Sequence, residues 1–324
     1  MGIFNIRNVG TNHGDCFFIE IANEIWKSVI MVDGRKGDTE SLEEIKEAVL
    51  EYEKIDYLVI THIDEDHLNG ARKLLREDSL VKTIFERTVI IYNYVTKPVI
   101  SYRQAEEFEE LLLNYSVIST IQKNYIPYSS PCLKIISSEK RRELDPREQE
   151  NATYAVMTLI HPQKNGIEAV YADYMKYCNR KGKPDSELIN RQSIVFLLEY
   201  QDKCALFTGD CEIEDVADEI EQLKNMRDEK ENYRKIDVIK IPHHGAIKNN
   251  KGLVAFAQKH QCRKYLVTGN REWDNKHPSH ELMTDIAKSV GGKIQVYTNV
   301  RITFSEEENV KIEDKNELKL MGEE

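Results

Sequence analysis

The chain has 324 residues, 40% of them hydrophobic, and a formal net charge of −11. That length and apolar content suffice for a substantial core, and with no linker or internal repeat in view the whole of 1–324 reads as one domain. Nonspecific affinity for DNA comes mainly from cations meeting phosphates, so the acidic balance disfavours broad coating of nucleic acid, while a phosphodiester held by metals and a local basic patch stays open.

The segment Met1–Ile6 has no basic stretch followed by a long apolar one, so neither a signal peptide nor a membrane span is expected, and the expected location is cytoplasmic. Strand-like sequence runs to about Asp33, which beside Gly34 also suits a turn, and a helix is predicted from about Thr39 to Lys54. The apolar run Tyr57–Thr61 predicts a buried strand that ends in His62-Ile63-Asp64-Glu65-Asp66-His67, with the next helix starting near Gly70. Phe108, Leu111, Leu112 and Tyr115 recur at helical spacing and predict an amphipathic helix over Tyr102–Tyr115 whose stripe faces the core. From about Lys123 to Asn151 the sequence is polar and broken by Pro127, Pro131 and Pro146, the signature of a surface excursion.

Further on, the strand-like run Ala155–Ile160 delivers His161-Pro162. The stretch Tyr171–Asp185 reads as irregular. It mixes Tyr171, Tyr174 and Tyr177 with Arg180, Lys181 and Lys183, a combination suited either to a solvated loop or to a cover that stacks and pairs with nucleotides. Asn190-Arg191-Gln192-Ser193 precedes the strand Ile194–Leu198. The run Lys203–Gly209 delivers Asp210, and Ile236–Pro242 delivers His243, His244 and Gly245. Ile294–Tyr297 and Arg301–Phe304 read as a closing hairpin. Cys16, Cys132, Cys178, Cys204, Cys211 and Cys262 form no Cys-x-x-Cys pair and are read as reduced and structural.

Five of the six side chains from His62 to His67 are metal-ligand types, placed where α/β proteins put their chemistry, at the C-terminal end of a strand. Two imidazoles and several carboxylates there suit a pair of divalent cations such as zinc or manganese. Taken alone, Gly209-Asp210 is an ordinary turn and His161 an ordinary strand-end histidine. The repeated layout of strand followed by ligand type is what joins them to the hexapeptide.

These residues, with Asn8-Val9-Gly10, Gly14-Asp15-Cys16, Val29–Gly34 and Lys276-His277-Pro278, resemble the metallo-β-lactamase superfamily, in particular the branch typified by the hydrolase domain of the competence protein ComEC. The resemblance implies an α/β fold, a four-layer αββα sandwich. It implies a binuclear hydrolase with two divalent ions, Zn or Mn, that lower the pKa of a shared water. His62 and Asp64 would bind one ion, Asp66 and His67 the other, and Asp210 would bridge them. One of His243 and His244 would complete the second site, the choice staying open because neighbouring side chains diverge if the strand persists. The usual superfamily motif is His-x-His-x-Asp-His. Asp64 replaces its second histidine here, an oxygen ligand that favours harder metals.

The intervening ligand is either His161 or Asn190, the latter also suited to contacting substrate or orienting a ligand. Asp33 would support the ligand loop, Asp66 would orient the water, and His277 would contact a phosphate or protonate a leaving oxygen. The expected activity is that of a phosphodiesterase or nuclease, with hydrolysis of a small ester, lactam or thioester as the alternative. A nucleic acid or other phosphodiester is the expected partner and a membrane is not; oligomeric state is not legible.

Overall fold

The computed structural model describes residues 2–10, 14–77, 79–93, 103–119, 133–135, 154–180, 185–228, 235–269, 277–313 and 317–322. The β-branched and aromatic runs form strands as their composition dictates. The elements in chain order are β1 (Ile3–Asn8), β2 (Phe17–Ala22), β3 (Lys27–Val32), α1 (Thr39–Tyr52), β4 (Tyr57–Val59), α2 (Glu65–Glu77), α3 (Ser79–Phe85), β5 (Val89–Ile91), α4 (Arg103–Leu111), β6 (Ser116–Ile118), β7 (Leu133–Ile135) and β8 (Ala155–His161). They continue with α5 (Lys164–Arg180), α6 (Ser186–Arg191), β9 (Val195–Tyr200), β10 (Lys203–Phe207), α7 (Ala217–Asp228), β11 (Val238–Lys240), α8 (Lys251–His260), β12 (Lys264–Val267), α9 (His280–Ser289), β13 (Ile294–Thr298), β14 (Val310–Glu313) and β15 (Glu317–Met321).

The strands form two mixed sheets, ordered β15-β1-β2-β3-β4-β5-β6 and β14-β13-β12-β11-β10-β9-β8-β7. Period-two alternation decides what each face meets. In β10, Ala205 and Phe207 face the other sheet while Cys204 and Leu206 face helices; in β4, Tyr57 and Val59 face the other sheet while Leu58, like Ile60 just past the strand, faces helices. Between the sheets, Phe4, Phe17 and Val59 meet Met157, Phe196 and Phe207, with Phe17 edge-on to Phe207 at 5.8 Å. Helices α1 to α6 cover the outer face of the first sheet through Ile45, Leu68, Phe85, Phe108, Tyr174 and Ile189. Helices α7 to α9 cover the second through Ile220, Leu253 and Ile286. The result is the αββα sandwich that the resemblance implies.

Several boundaries differ from expectation. The helix expected near Gly70 starts at Glu65, so Asp66 and His67 lie in its first turn. Tyr171–Arg180, expected as irregular, belongs to α5, and Tyr174 is fully buried beside Val170 in the outer core. Lys181 and Lys183 lie outside the described residues. There is no closing hairpin: β13 pairs in parallel with β12 and β14, and Arg301–Phe304 is not a strand. Of the expected excursion over Lys123–Asn151, the described part is β7, an edge strand antiparallel to β8. The predicted Tyr102–Tyr115 helix is α4 continued by a 3₁₀ turn, Leu112–Asn114, with Phe108 and Leu112 buried in the core. Cys16, Cys204, Cys211 and Cys262 are buried and free. No helix among the described residues is long and apolar enough to cross a membrane.

Candidate metal centre

The C-terminal ends of β3, β4, β10, β11 and β12 meet at one edge of the sandwich, where Ile194 N donates to Thr61 O across the sheets at 2.8 Å. The hexapeptide straddles two elements there. Asp64 O accepts from His67 N and Leu68 N at 3.0 Å each, so Asp64 stands at the head of α2. The helix start is held against the turn after β3, with Gly34 N donating to His67 O at 2.6 Å and Gly70 N donating to Arg35 O at 3.0 Å. A Cβ on Gly70 would lie 1.8 Å from the Gly34 carbonyl oxygen, so the approach requires glycine.

Hydrogen bonding fixes which nitrogen each histidine offers. Asp33 Oδ1 accepts from Thr61 N, and its Oδ2 accepts from Thr61 Oγ1 and from His67 Nδ1, all at 2.7 Å. Ser193 Oγ donates to Asn190 O at 2.7 Å. With the Thr61 and Ser193 hydroxyl protons thus committed, His62 Nδ1, 3.0 and 3.1 Å from those two oxygens, must be the donor. The Nε2 atoms of His62 and His67 are left buried without a hydrogen bond. On the other side, Thr268 Oγ1 donates to Asp15 Oδ1 in a short contact and accepts from His244 Nδ1 at 2.8 Å, which turns His244 Nε2 toward Asp66 Oδ2 at 3.1 Å.

Asp210 is central. It follows Gly209, whose φ of 53° and missing Cβ let the chain pass between Ser193 and Thr61. Its Oδ1 lies 3.4 Å from His67 Nε2, while its Oδ2 lies 3.4 Å from His243 Nδ1 and 3.7 Å from His244 Nε2. The strand does not persist through the two histidines, because β11 ends at Lys240 and His243 and His244 take left-handed φ values of 47° and 52°. Both imidazoles therefore face Asp210 rather than diverging.

The donor set fits divalent cations. Ligand atoms of His62, His67 and Asp210 converge within 4.8 Å, all from buried residues. A second convergent group, Asp15, His67 and His244, meets through Nδ1 atoms already bonded to Asp33 and Thr268, so it reads as support for the first. Burial and His67 push the His62 pKa down to about 3, leaving a neutral imidazole with a lone pair on Nε2. Burial opposes charge on His244, but Asp210 and Asp15 raise it to about 9. Burial and the neighbouring Asp66 raise Asp64 to about 7. Burial would also raise Asp210, yet His67, His244 and Lys240 hold it well below the usual carboxylate range. The same carboxylates raise His67 well above the usual imidazole range despite its burial, so His67 and His244 hold protons here that divalent cations would replace.

The remaining candidates stand further out. Asn190, oriented to satisfy its neighbours, donates to Asp64 Oδ2 at 2.9 Å and accepts from His243 Nδ1 at 3.3 Å, bridging two candidate ligands. His161 Nε2 lies 3.0 Å from Arg191 O, and His161 is in neither convergent group. His277 is half-buried, and its carbonyl packs against Gly269. His13 lies outside the described residues. Sequence reasoning gave no role to Asp15, Thr61, Ser193, Thr268 or Lys240, although Asp15 and Ser193 stood in quoted motifs and Lys240 is a charge within the mostly apolar run Ile236–Pro242. Behind His62 is a cavity of about 30 Å³ walled by Ile60, Ile63, Tyr92, Val170 and Ile189, an apolar backing for the ligands.

Fold and site together define an αββα sandwich with a candidate metal centre on the shared edge of its sheets. No family model and no curated protein matches the chain. Solved structures similar to it include the metallo-β-lactamase fold protein YhfI from Bacillus subtilis, at 11% identity and a TM-score of 0.44, covering 98% of this chain and 100% of that one. The metallo-β-lactamase SMB-1 bound to 2-mercaptoethanesulfonate is similar at 12% identity and a TM-score of 0.31, over 78% of this chain and 85% of that one. The CmlA β-hydroxylase E377D mutant is similar at 10% identity and a TM-score of 0.43; the match covers 98% of this chain and 53% of that one.

Proposed function

We propose that the chain is a metal-dependent hydrolase with two divalent cations, acting on phosphodiesters. The observation that carries the reading is the Asp210 carboxylate, whose Oδ1 faces His67 Nε2 while its Oδ2 faces His243 and His244. A carboxylate with His67 beside one oxygen and His243 and His244 beside the other supports the reading that two ions would share Asp210. His62, His67 and Asp210 supply one group of ligand atoms, where the resemblance pairs His62 with Asp64; near the other oxygen His244 Nε2 stands at 3.7 Å and is itself 3.1 Å from Asp66 Oδ2, while Asn190 links Asp64 to His243. When bound, two such cations supply Lewis acidity and a water of lowered pKa, and suit both the attacking and the leaving oxygen of a phosphoryl transfer.

The chain's own residues prepare that chemistry. Asp33 holds His67 directly and His62 through Thr61, fixing both tautomers. Asp66 is 21% exposed, in contact with both His244 and solvent, where it can orient a water. His277 is the candidate proton donor to a leaving oxygen. Three carboxylates among the donors favour manganese over softer ions, without barring zinc.

The test is cleavage of bis(p-nitrophenyl) phosphate, single-stranded DNA and duplex DNA with manganese or zinc, beside a nitrophenyl acyl ester, comparing wild type with Asp66→Ala. Metal-dependent phosphodiester cleavage lost in the variant supports the reading. Turnover of the acyl ester alone would replace it with acyl hydrolysis.

A further inference from the structure

Lys240 ends β11 on the face it shares with Val238, pointing between the sheets, while Ile239 and Ile241 face the helices. Its side chain is 1% exposed, and a buried ammonium loses its hydration and persists only where partners replace it. The partners are Gly209 O at 2.7 Å, Asp210 Oδ1 at 3.4 Å and, in a shorter contact, Asp15 Oδ2. Asp15 Oδ1 in turn accepts from Thr268, whose hydroxyl oxygen accepts from His244 Nδ1. One ammonium thus touches Asp210 directly and reaches His244 through three hydrogen bonds, by way of Asp15 and Thr268. Apolar residues of the same volume fill a core at least as well as a buried ion pair, so packing does not account for the charge. Its contacts with two carboxylates of the site do, Asp15 Oδ2 and Asp210 Oδ1.

We propose that Lys240 is a fixed cation of the centre, a positioning residue that pins Asp210 and, through Asp15 and Thr268, His244, and so retains the second divalent ion. This rests on the two-cation reading above. Lys240 meets carboxylates and a carbonyl, and no role in touching substrate is assigned to it.

The experiment loads the full chain with Mn²⁺ and reads ions retained per chain and the electron paramagnetic resonance signal. The Asp15→Asn/Lys240→Met double variant removes both charges of the pair, so no buried charge is left alone. Wild type is expected to retain two ions with a spin-coupled signal. The double variant is expected to fold, retain one ion with the hyperfine pattern of an isolated Mn²⁺, and bind a second at least about 10-fold more weakly. A folded double variant with two coupled ions at wild-type affinity would overturn the proposal. Thr268→Val removes its hydrogen bonds to Asp15 and His244 while keeping the Lys240–Asp15 pair, and is expected to weaken the second ion alone; wild-type retention there would overturn the relay, even were the double variant not to fold. A wild type retaining fewer than two ions would instead defeat the two-cation reading, and this inference with it.

Discussion

Ser193 shows how much one hydroxyl organises. Its oxygen donates to Asn190 O, faces His62 Nδ1 and accepts from Asp210 N at 3.1 Å, so it joins two candidate ligands from different sheets. Ser193→Ala leaves a buried amide and an imidazole N–H less well satisfied. The expected cost is about 1–3 kcal/mol by denaturant titration, with cation affinity reduced about 10- to 100-fold by calorimetry. Asp33→Asn is expected to weaken cations by a similar factor, since an amide cannot accept from Thr61 and His67 as the carboxylate does. Protons compete with cations for His244. Its pKa in the cation-free fold is raised from 6.5 to about 9, so it stabilises that fold fully below about 6.5, and the contribution fades as pH rises through 9. Cation binding must expel that proton, so apparent affinity should rise with pH toward 9. Calorimetry in two buffers of different ionisation enthalpy reads the released proton directly.

At the scale of elements, the geometry depends on how strand ends become turns. Gly209→Ala would put a Cβ 2.8 Å from Ser193 Cβ and 3.0 Å from Thr61 Cβ, at a φ of 53°. Strain and contact together should cost on the order of 1–3 kcal/mol in a thermal melt and displace Asp210. The same scale explains which elements were legible. Strands delivering His62, Asp210 and His243 could be read because each is a short apolar run cut off by a polar residue. Helix α5 was not, because Ile167, Val170 and Tyr174 form its buried stripe among lysines and tyrosines that also suit a loop. The hairpin after β13 failed for a long-range reason. Asn299 Nδ2 donates to Gly10 O and its Oδ1 accepts from Gly269 N, tying the turn to distant loops before β14 pairs in parallel. The hydrogen-bond chains through Thr61, Ser193 and Thr268 join residues up to 253 positions apart, and no local pattern encodes them.

For the whole molecule, the candidate centre lies where two sheets meet and draws candidate ligands from both: His62, Asp66 and His67 follow strands of the first, Asp210, His243 and His244 strands of the second. Cations that bind only this folded arrangement should clamp the sheets together. At 100 times the dissociation constant, bound metal adds about 2.7 kcal/mol to stability, so chelation should lower the melting temperature and excess manganese restore it. The most direct measurement is an anomalous-difference map from crystals of the full chain soaked in manganese. Two peaks are predicted, one on each side of the Asp210 carboxylate, with one against His62 Nε2 and His67 Nε2 and the other against Asp66 and His244. A single peak, or none beside well-ordered imidazoles, would contradict a two-cation centre.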